Sequence, residues 1–369
     1  MVIIKMGEKY KMKHFYSDVV SFTGSHYDFG FRQGQLLQQS PILENRKKQW
    51  ATSRRRHFNI NIQEALQLFL TYMPSMVDEL HGLADALDWT MEEALIEFGG
   101  YYVEYERSGC TILGGRDYMI RNYDSHPAYY EGRYVIYQPT DNGYATIGPS
   151  MQITGRTDGM NEQGLAMGYN FVNRVGSGDG FVCNMIGRMI LENCANIEEA
   201  ISLLRKIPHR SAFNYVLTDP SGEMVVVEAT PRRVEVRKAY RSTNHFEIIT
   251  EENRYRLDDS LRREQIIKAN QKEALDFLTA YQLLNDKEND IFAEKYDASA
   301  GTIHTSAYLP KERKALFAIG GNRMPVVFDF NRYIQGEGTR IKRMKGQLDY
   351  HEAFVNMEKI SVSSHAESC

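Results

Sequence analysis

The chain carries only four cysteines, at positions 110, 183, 194 and 369, and no two of them form a CxxC pair. Zinc ribbons and thioredoxin-type redox centres are thereby excluded, and a reducing, cytoplasmic setting fits better than a disulfide scaffold. No apolar run reaches the length of a membrane span, and the opening MVIIKMGEKYKMKHFYS scatters lysines where a secretory leader needs an unbroken apolar stretch. An excess of one charge is lacking too. Forty-four basic against 48 acidic residues leave a net charge of -4, and Arg54-Arg55-Arg56 is too short a cluster to define a nucleic-acid stripe, so it reads as a solvated helix face. Neither nucleic acid nor a membrane is therefore expected as a partner. There is no HExxH pair, no Walker loop and no GxGxxG; the glycines of GSGDGF at 176–181 fit neither phosphate motif, and no cofactor or metal is expected.

What is present is the composition of a packed globular protein, 42% hydrophobic and 25% charged, long enough at 369 residues for two ordinary domains or one large layered one. After the strand-like VVSFTGS, apolar residues recur at three- and four-residue spacing through residues 40–58 and 62–87, which predicts helices. Pro74 is expected to interrupt the second run, and Thr90 to cap a further helix over MEEALIEF that ends near Gly99-Gly100. From Cys110 the pattern turns to short strands between turn signals: YMIRNYD, RYVIYQP, ATIGPSM and GLAMGYNFV. A helical stretch over 181–207 follows. Next come strands in NYVLTDPSGEMVVVEATP, hinged on Asp-Pro-Ser-Gly, and in RRVEVRKAYR; then helix over 260–284, and strands in TIHTSAYLP, KALFAIGG and PVVFDFN. The expectation is sheets covered by helices, a compact α/β body behind an α-rich preface, with a frayed tail ISVSSHAESC.

The junction between preface and strands is Ser108-Gly109-Cys110-Thr111, where a small residue leaves the carbonyl before the cysteine open to attack. Cysteine inside a protein is usually small apolar filler, the reading given to Cys183 and Cys194. Cys110 differs because Arg121-Asn122-Tyr123-Asp124 lies on a strand able to pair with its own: a cation near sulfur favours thiolate, and a carboxylate can orient an amine. Ten histidines offer no local signature for a Cys-His pair, His126 and His245 being the nearest candidates.

Taken together, several segments resemble the acyl-coenzyme A:6-aminopenicillanic-acid acyltransferase family and, more distantly, the choloylglycine hydrolases that include bile-salt hydrolase and penicillin V acylase. They are Gly24 to Gly30 with Gly34, Gly109-Cys110-Thr111, Arg121 to Asp124, Asp158 to Gly164 running on to Tyr169-Asn170-Phe171, and Thr243-Asn244-His245-Phe246. Later pieces are Arg256 to Arg263 and Thr302 to Ser306. The resemblance implies a four-layer αββα N-terminal-nucleophile sandwich, of α+β class. It also implies a precursor that cuts itself between Gly109 and Cys110, giving an α-rich segment of residues 1–109 that stays associated with a catalytic chain of 110–369. By position, Cys110 would be both nucleophile and, through its freed α-amine, base; Asp124 would hold that amine and Arg121 would tune the sulfur. Asn170 and Asn244 would serve the oxyanion hole. Arg262 or Arg263, and Ser306, are further candidates.

The expected chemistry is hydrolysis or transfer of an acyl group held in a linear amide, through a thioester at Cys110. The substrate would be a small acylated amine or amide, with acyl-coenzyme A an eligible acyl donor. Two other readings stay open: an uncut thiol hydrolase with a histidine base, and a non-catalytic binder of small metabolites that keeps the fold. A covered sheet would leave ordinary surface for a homodimer.

Overall fold

A computed structural model describes residues 13–52, 61–101, 109–173, 176–255, 257–271, 275–298, 300–350 and 354–356. Arg54-Arg55-Arg56, Cys369 and the ISVSSHAESC tail lie outside the described residues. In chain order the preface holds β1 (Lys13–Gly24), α1 (His26–Gln38), α2 (Ile42–Thr52), α3 (Ile62–Tyr72), α4 (Ser75–Leu87) and α5 (Met91–Phe98). The remainder begins with β2 (Cys110–Gly114), β3 (Met119–Ser125), β4 (Arg133–Pro139), β5 (Thr146–Met151), β6 (Gly155–Arg156), β7 (Asp158–Asn161) and β8 (Ala166–Phe171). It continues with α6 (Cys183–Asn193), α7 (Ile197–Lys206), β9 (Phe213–Thr218), β10 (Met224–Ala229), β11 (Val234–Lys238), β12 (Arg241–Ser242), α8 (Leu257–Asn270) and α9 (Phe277–Asn285). Last come β13 (Glu294–Lys295), β14 (Ala300–Leu309), β15 (Lys314–Ile319), β16 (Val326–Asp329), α10 (Phe330–Arg332) and β17 (Arg343–Leu348).

Local chemistry sets most of these boundaries. Thr90 closes a full capping box with Glu93, and α3 and α4 part at Pro74, which follows Met73 at the end of α3. The two long helical stretches each divide in two, because Asn196 and Asp276 accept the backbone N–H three residues on and so start α7 and α9. The apolar periodicity ran through both breaks; the caps inside them decide.

The strands form a ten-stranded sheet in the order β11-β10-β9-β8-β7-β5-β4-β1-β17, with β6 on β5, and a seven-stranded sheet β12-β2-β3-β14-β15-β16, with β13 on β14. Between them lies one apolar layer that includes Ile112, Tyr134, Ile136, Ile147, Met160, Val216, Val226 and Phe317. Helices α3 to α7 cover the outer face of the larger sheet through Phe69, Leu80, Leu95, Ile186 and Ile190 against Met167, Tyr169, Tyr215 and Val227. Helices α8 and α9 cover the outer face of the smaller through Ile267, Ala280 and Leu284 against Ile120, Ala307 and Leu316. The architecture is the expected α+β sandwich of four layers, helix, sheet, sheet, helix.

One element departs from the α-rich picture of the preface. β1 is an inner strand, parallel to β4 on one side and antiparallel to β17 on the other, so the preface is woven into the sheet rather than laid over it.

Candidate active site

Cys110 opens β2 and is 1% exposed. Its place on the smaller sheet's inner face follows from pairing with β3, which sets Cys110 across from Tyr123 and Ile112 across from Arg121. The Gly109–Cys110 peptide is held at its oxygen and at its nitrogen, and so is the carbonyl that follows. The Asp124 amide donates to the Gly109 carbonyl (3.1 Å). The Cys110 amide donates to Asn244 Oδ1 (2.9 Å), and Arg263 Nη1 donates to the Cys110 carbonyl (2.7 Å). Gly109 fits where a side chain would not: a Cβ there would meet Asp124 Oδ2 at 2.9 Å.

The sulfur faces Arg121, whose Nη2 lies 3.2 Å from Cys110 Sγ. That guanidinium is completely buried and fixed on every side. Nε and Nη2 donate to the Tyr169 carbonyl (3.2 and 2.9 Å), Nη1 donates to Asp158 Oδ1 (2.8 Å), and the rings of Tyr123 and Tyr169 lie 5.2 and 5.1 Å from its central carbon. Gly168 permits the approach, since a Cβ there would stand 3.0 Å from Arg121 Cδ. Asp158 is in turn held by the hydroxyls of Tyr308 and Thr157, both at 2.7 Å, and its pKa is low because, against burial, the Arg121 charge, His304 and the Thr157 hydroxyl together favour the carboxylate. Burial raises the Cys110 thiol above the ordinary cysteine range while Arg121 pulls it down, so the sulfur needs a base to react.

Asp124 accepts from Thr302 Oγ1 (2.7 Å) and is 2% exposed; burial pushes its carboxyl up to about 7, against the pull of Arg263. Asn244 joins two strands and a helix of the site: Oδ1 accepts from Cys110 N on β2 and Arg263 Nη2 on α8 (2.7 Å), and Nδ2 donates to the Phe171 carbonyl on β8 (2.8 Å). Asn170, between the two residues whose carbonyls Arg121 and Asn244 grip, is completely buried with no partner at either end of its amide. Such a group costs about 1–3 kcal/mol per unmet atom, a burden kept where a function uses it. Of the arginine pair, Arg263 is the one in the site. It touches Cys110 O, Thr111 Oγ1 (2.6 Å) and Asn244, and Asp259 anchors its Nε at 2.8 Å.

Arg262 points away, to the Asp290 carbonyl and Asp259 at the surface. Ser306 is the cross-strand partner of Arg121 on β14, buried, without a hydrogen bond to Cys110. His126 caps the turn after β3 by accepting from the Ala128 amide, and His245 Nδ1 is engaged with Thr243 and Ser260; no described histidine hydrogen-bonds the sulfur. His245, Glu247 and Glu264 bring ligand atoms within 4.8 Å of one another, but Arg237 already pairs with Glu247, and Arg241 and Lys268 with Glu264.

Sequence reasoning missed the supports: Asp158 and Tyr308 behind Arg121, Thr302 on Asp124, and Asn214, whose Nδ2 donates to the carbonyls of Thr243 (3.1 Å) and His245 (2.8 Å) and so fixes the Asn244 segment. Asp158 and Thr302 stood within segments that carry the resemblance; Tyr308 and Asn214 carry no local signal.

The cluster can be compared with known proteins. No curated protein matches the chain. Among solved structures, a mutant conjugated bile acid hydrolase from Clostridium perfringens is similar at 15% identity and a TM-score of 0.42, over 60% of this chain and 93% of that one. Penicillin V acylase from Agrobacterium tumefaciens is similar at 16% and 0.41, over 64% and 90%. The Caenorhabditis elegans ortholog of N-acylethanolamine-hydrolyzing acid amidase is similar at 11% and 0.36, over 55% and 93%. Among the described residues no helix is long and apolar enough to cross a membrane. The sequence model for acyl-coenzyme A:6-aminopenicillanic acid acyl-transferase matches residues 112–324, more than half of the chain, and the protein belongs to that family.

Proposed function

We propose that the protein is an amidase or acyltransferase that cuts its own chain between Gly109 and Cys110 and then uses Cys110 as an N-terminal nucleophile. The observation that carries this reading is the clamp on the uncut junction: carbonyl, amide nitrogen and sulfur are each gripped by a separate group, Asp124 N, Asn244 and Arg121. A structural cysteine needs none of these.

In the first step the thiol sulfur attacks the Gly109 carbonyl carbon, with the Asp124 amide facing the developing oxyanion. The Cys110 nitrogen leaves, taking the thiol proton, and water hydrolyses the resulting thioester to a Gly109 carboxylate, a free thiol and a free α-amine. That amine, with a reference pKa of about 7.7–8.0, is partly neutral near physiological pH and becomes the base that the buried thiol lacks. Asp124 and Asn244 Oδ1 are placed to hold it. On substrate, the sulfur attacks the acyl carbonyl, its proton passes through the α-amine to the leaving amine, and water or a second amine resolves the thioester. The amides of Asn170 and Asn244 serve the oxyanion, Asn244 from the position that its bond to the Phe171 carbonyl fixes. The substrate is a small acylated amine or amide, and acyl-coenzyme A is an eligible donor in the transfer direction. Residues 1–109 would stay attached after the cut, because β1 is bonded along both edges.

The test is to mix the protein with a panel of chromogenic acyl amides, quench in acid within the first turnover and weigh the chain. The expected product is the chain starting at Cys110, heavier by one acyl group that hydroxylamine removes. Turnover with no such adduct, and an adduct on another residue, would each refute the reading.

A further inference from the structure

The outer face of the ten-stranded sheet, under α1, α4 and α6, buries three arginines, and only one of them is satisfied. Arg188 donates to Glu79 Oε2 (2.7 Å), to Glu192 and to the Thr154 carbonyl (2.9 Å). Arg156 is 0% exposed, yet its Nη1 reaches only the carbonyls of Thr154 and Gly155 (3.2 and 2.9 Å), and Nε and Nη2 have no partner. Those two nitrogens form the edge with which a guanidinium grips an acceptor side-on. Arg133, 5% exposed, donates through Nη2 to Gln33 Oε1 (3.0 Å) and leaves Nη1 without a partner. Neither Arg133 nor Arg156 pairs with a described carboxylate. Glu79 is held by Gln33 and Arg188, Glu192 by His26 and Arg188, and Glu131 by Ser150 and the Ile153 amide.

The strand register brings the two residues to one face of the sheet. Tyr134 pairs with Pro149, so one residue on Arg133 lies across from Ser150, and Ser150 pairs with Arg156. Residues opposed in antiparallel strands point to the same face, and two strand spacings put the two arginine Cα atoms about 10 Å apart, within reach of two long side chains. Burial and the neighbouring Arg188 charge depress the Arg156 pKa to about 9 against the pull of Glu79 and Glu192, with Arg133 adding to the depression. A buried guanidinium N–H without an acceptor is costly, and Glu79 and Glu192, which act on Arg156 only from a distance, do not supply one.

We propose that Arg133 and Arg156 form a binding site for a small monovalent anion of the chloride class, enclosed between this sheet face and the preface helices. The burial of both side chains suits a single-atom or similarly compact ion, and the carboxylates of Glu79 and Glu192 nearby disfavour a multiply charged one. The site lies on the opposite face of the sheet from Cys110 and stands whether or not the chain is cut.

Bromide is the probe. Crystals of the full chain grown in sodium bromide should give an anomalous peak touching Arg156 Nε and Nη2 and Arg133 Nη1. The wild-type Tm should rise by roughly 1–3 °C for each tenfold increase in bromide against gluconate at constant ionic strength, and the Tm of Arg156→Met should not respond. Ordered water alone at those nitrogens overturns the proposal. So does a bromide peak without a Tm response, which marks binding at crystal concentration only. If Arg156→Met does not fold, the wild-type map and titration decide.

Discussion

The two faces of the ten-stranded sheet bury charge for different ends. On its inner side, Arg121 and Asp124 of β3 in the facing smaller sheet, Asn244, and Arg263 of α8 all turn toward one peptide and one sulfur, and Asn170 of β8 is left with nothing to bond. On the outer face His26, Glu79, Arg188 and Glu192 turn toward one another and tie helices α1 and α4 to α6. Buried ions of similar cost therefore hold one peptide and its sulfur in place on one side and two stretches of chain together on the other. Substitutions on the outer face should act on stability and those on the inner face on chemistry.

The largest effect is expected at the seam. Glu79→Ala strips a completely buried carboxylate from Arg188 and should lower stability by about 3–5 kcal/mol in urea unfolding, with kcat per folded molecule within twofold of wild type. A fall in kcat without a fall in stability would erase the contrast. On the inner face, Asn170→Ala should reverse that pattern, lowering kcat by about 100- to 1000-fold with little change in the unfolding midpoint; an unfolding shift without a rate loss would return Asn170 to a structural role.

Asp124 sharpens the comparison through pH. In uncut Cys110→Ala protein its folded pKa of about 7 lies above the ordinary carboxyl value near 3.9, so the folded state keeps a proton that the unfolded state releases. Stability from this group is present below about pH 4 and is lost as pH rises toward 7, by a few kcal/mol at most. Adding Asp124→Asn should remove that decline, and an unchanged stability–pH curve would contradict it. The smallest effect belongs to Arg262→Ala, within about 0.5 kcal/mol and with unchanged activity, whereas Arg263→Ala should slow cleavage and turnover. Equal losses from the two would mean that Arg263 acts only as a helix-face residue.

The strands after Cys110 were legible because their apolar runs are bounded by turn residues; RYVIYQP is β4 to the residue. β17 was not, since RMKGQL is polar and gains its place by pairing with β1, more than three hundred residues away in sequence. The order of β1 between β4 and β17 is equally invisible to local pattern. Within the site, the sequence carried Cys110, Arg121, Asp124 and the two asparagines through the resemblance, and left Arg262 and Arg263 level. Helix phase settles that pair: adjacent positions on α8 point about 100° apart, and only Arg263 turns inward. Supports such as Asn214 and Tyr308 bond across strands far apart in sequence and leave no spacing to read.

The most direct test of the central claim is the denatured intact mass of freshly expressed wild-type protein beside Cys110→Ala. Two chains meeting at Gly109 and Cys110 in the wild type, and one uncut 42.5 kDa chain in the variant, are predicted. A wild-type chain that remains whole while it turns over an acyl amide would contradict the N-terminal-nucleophile mechanism outright.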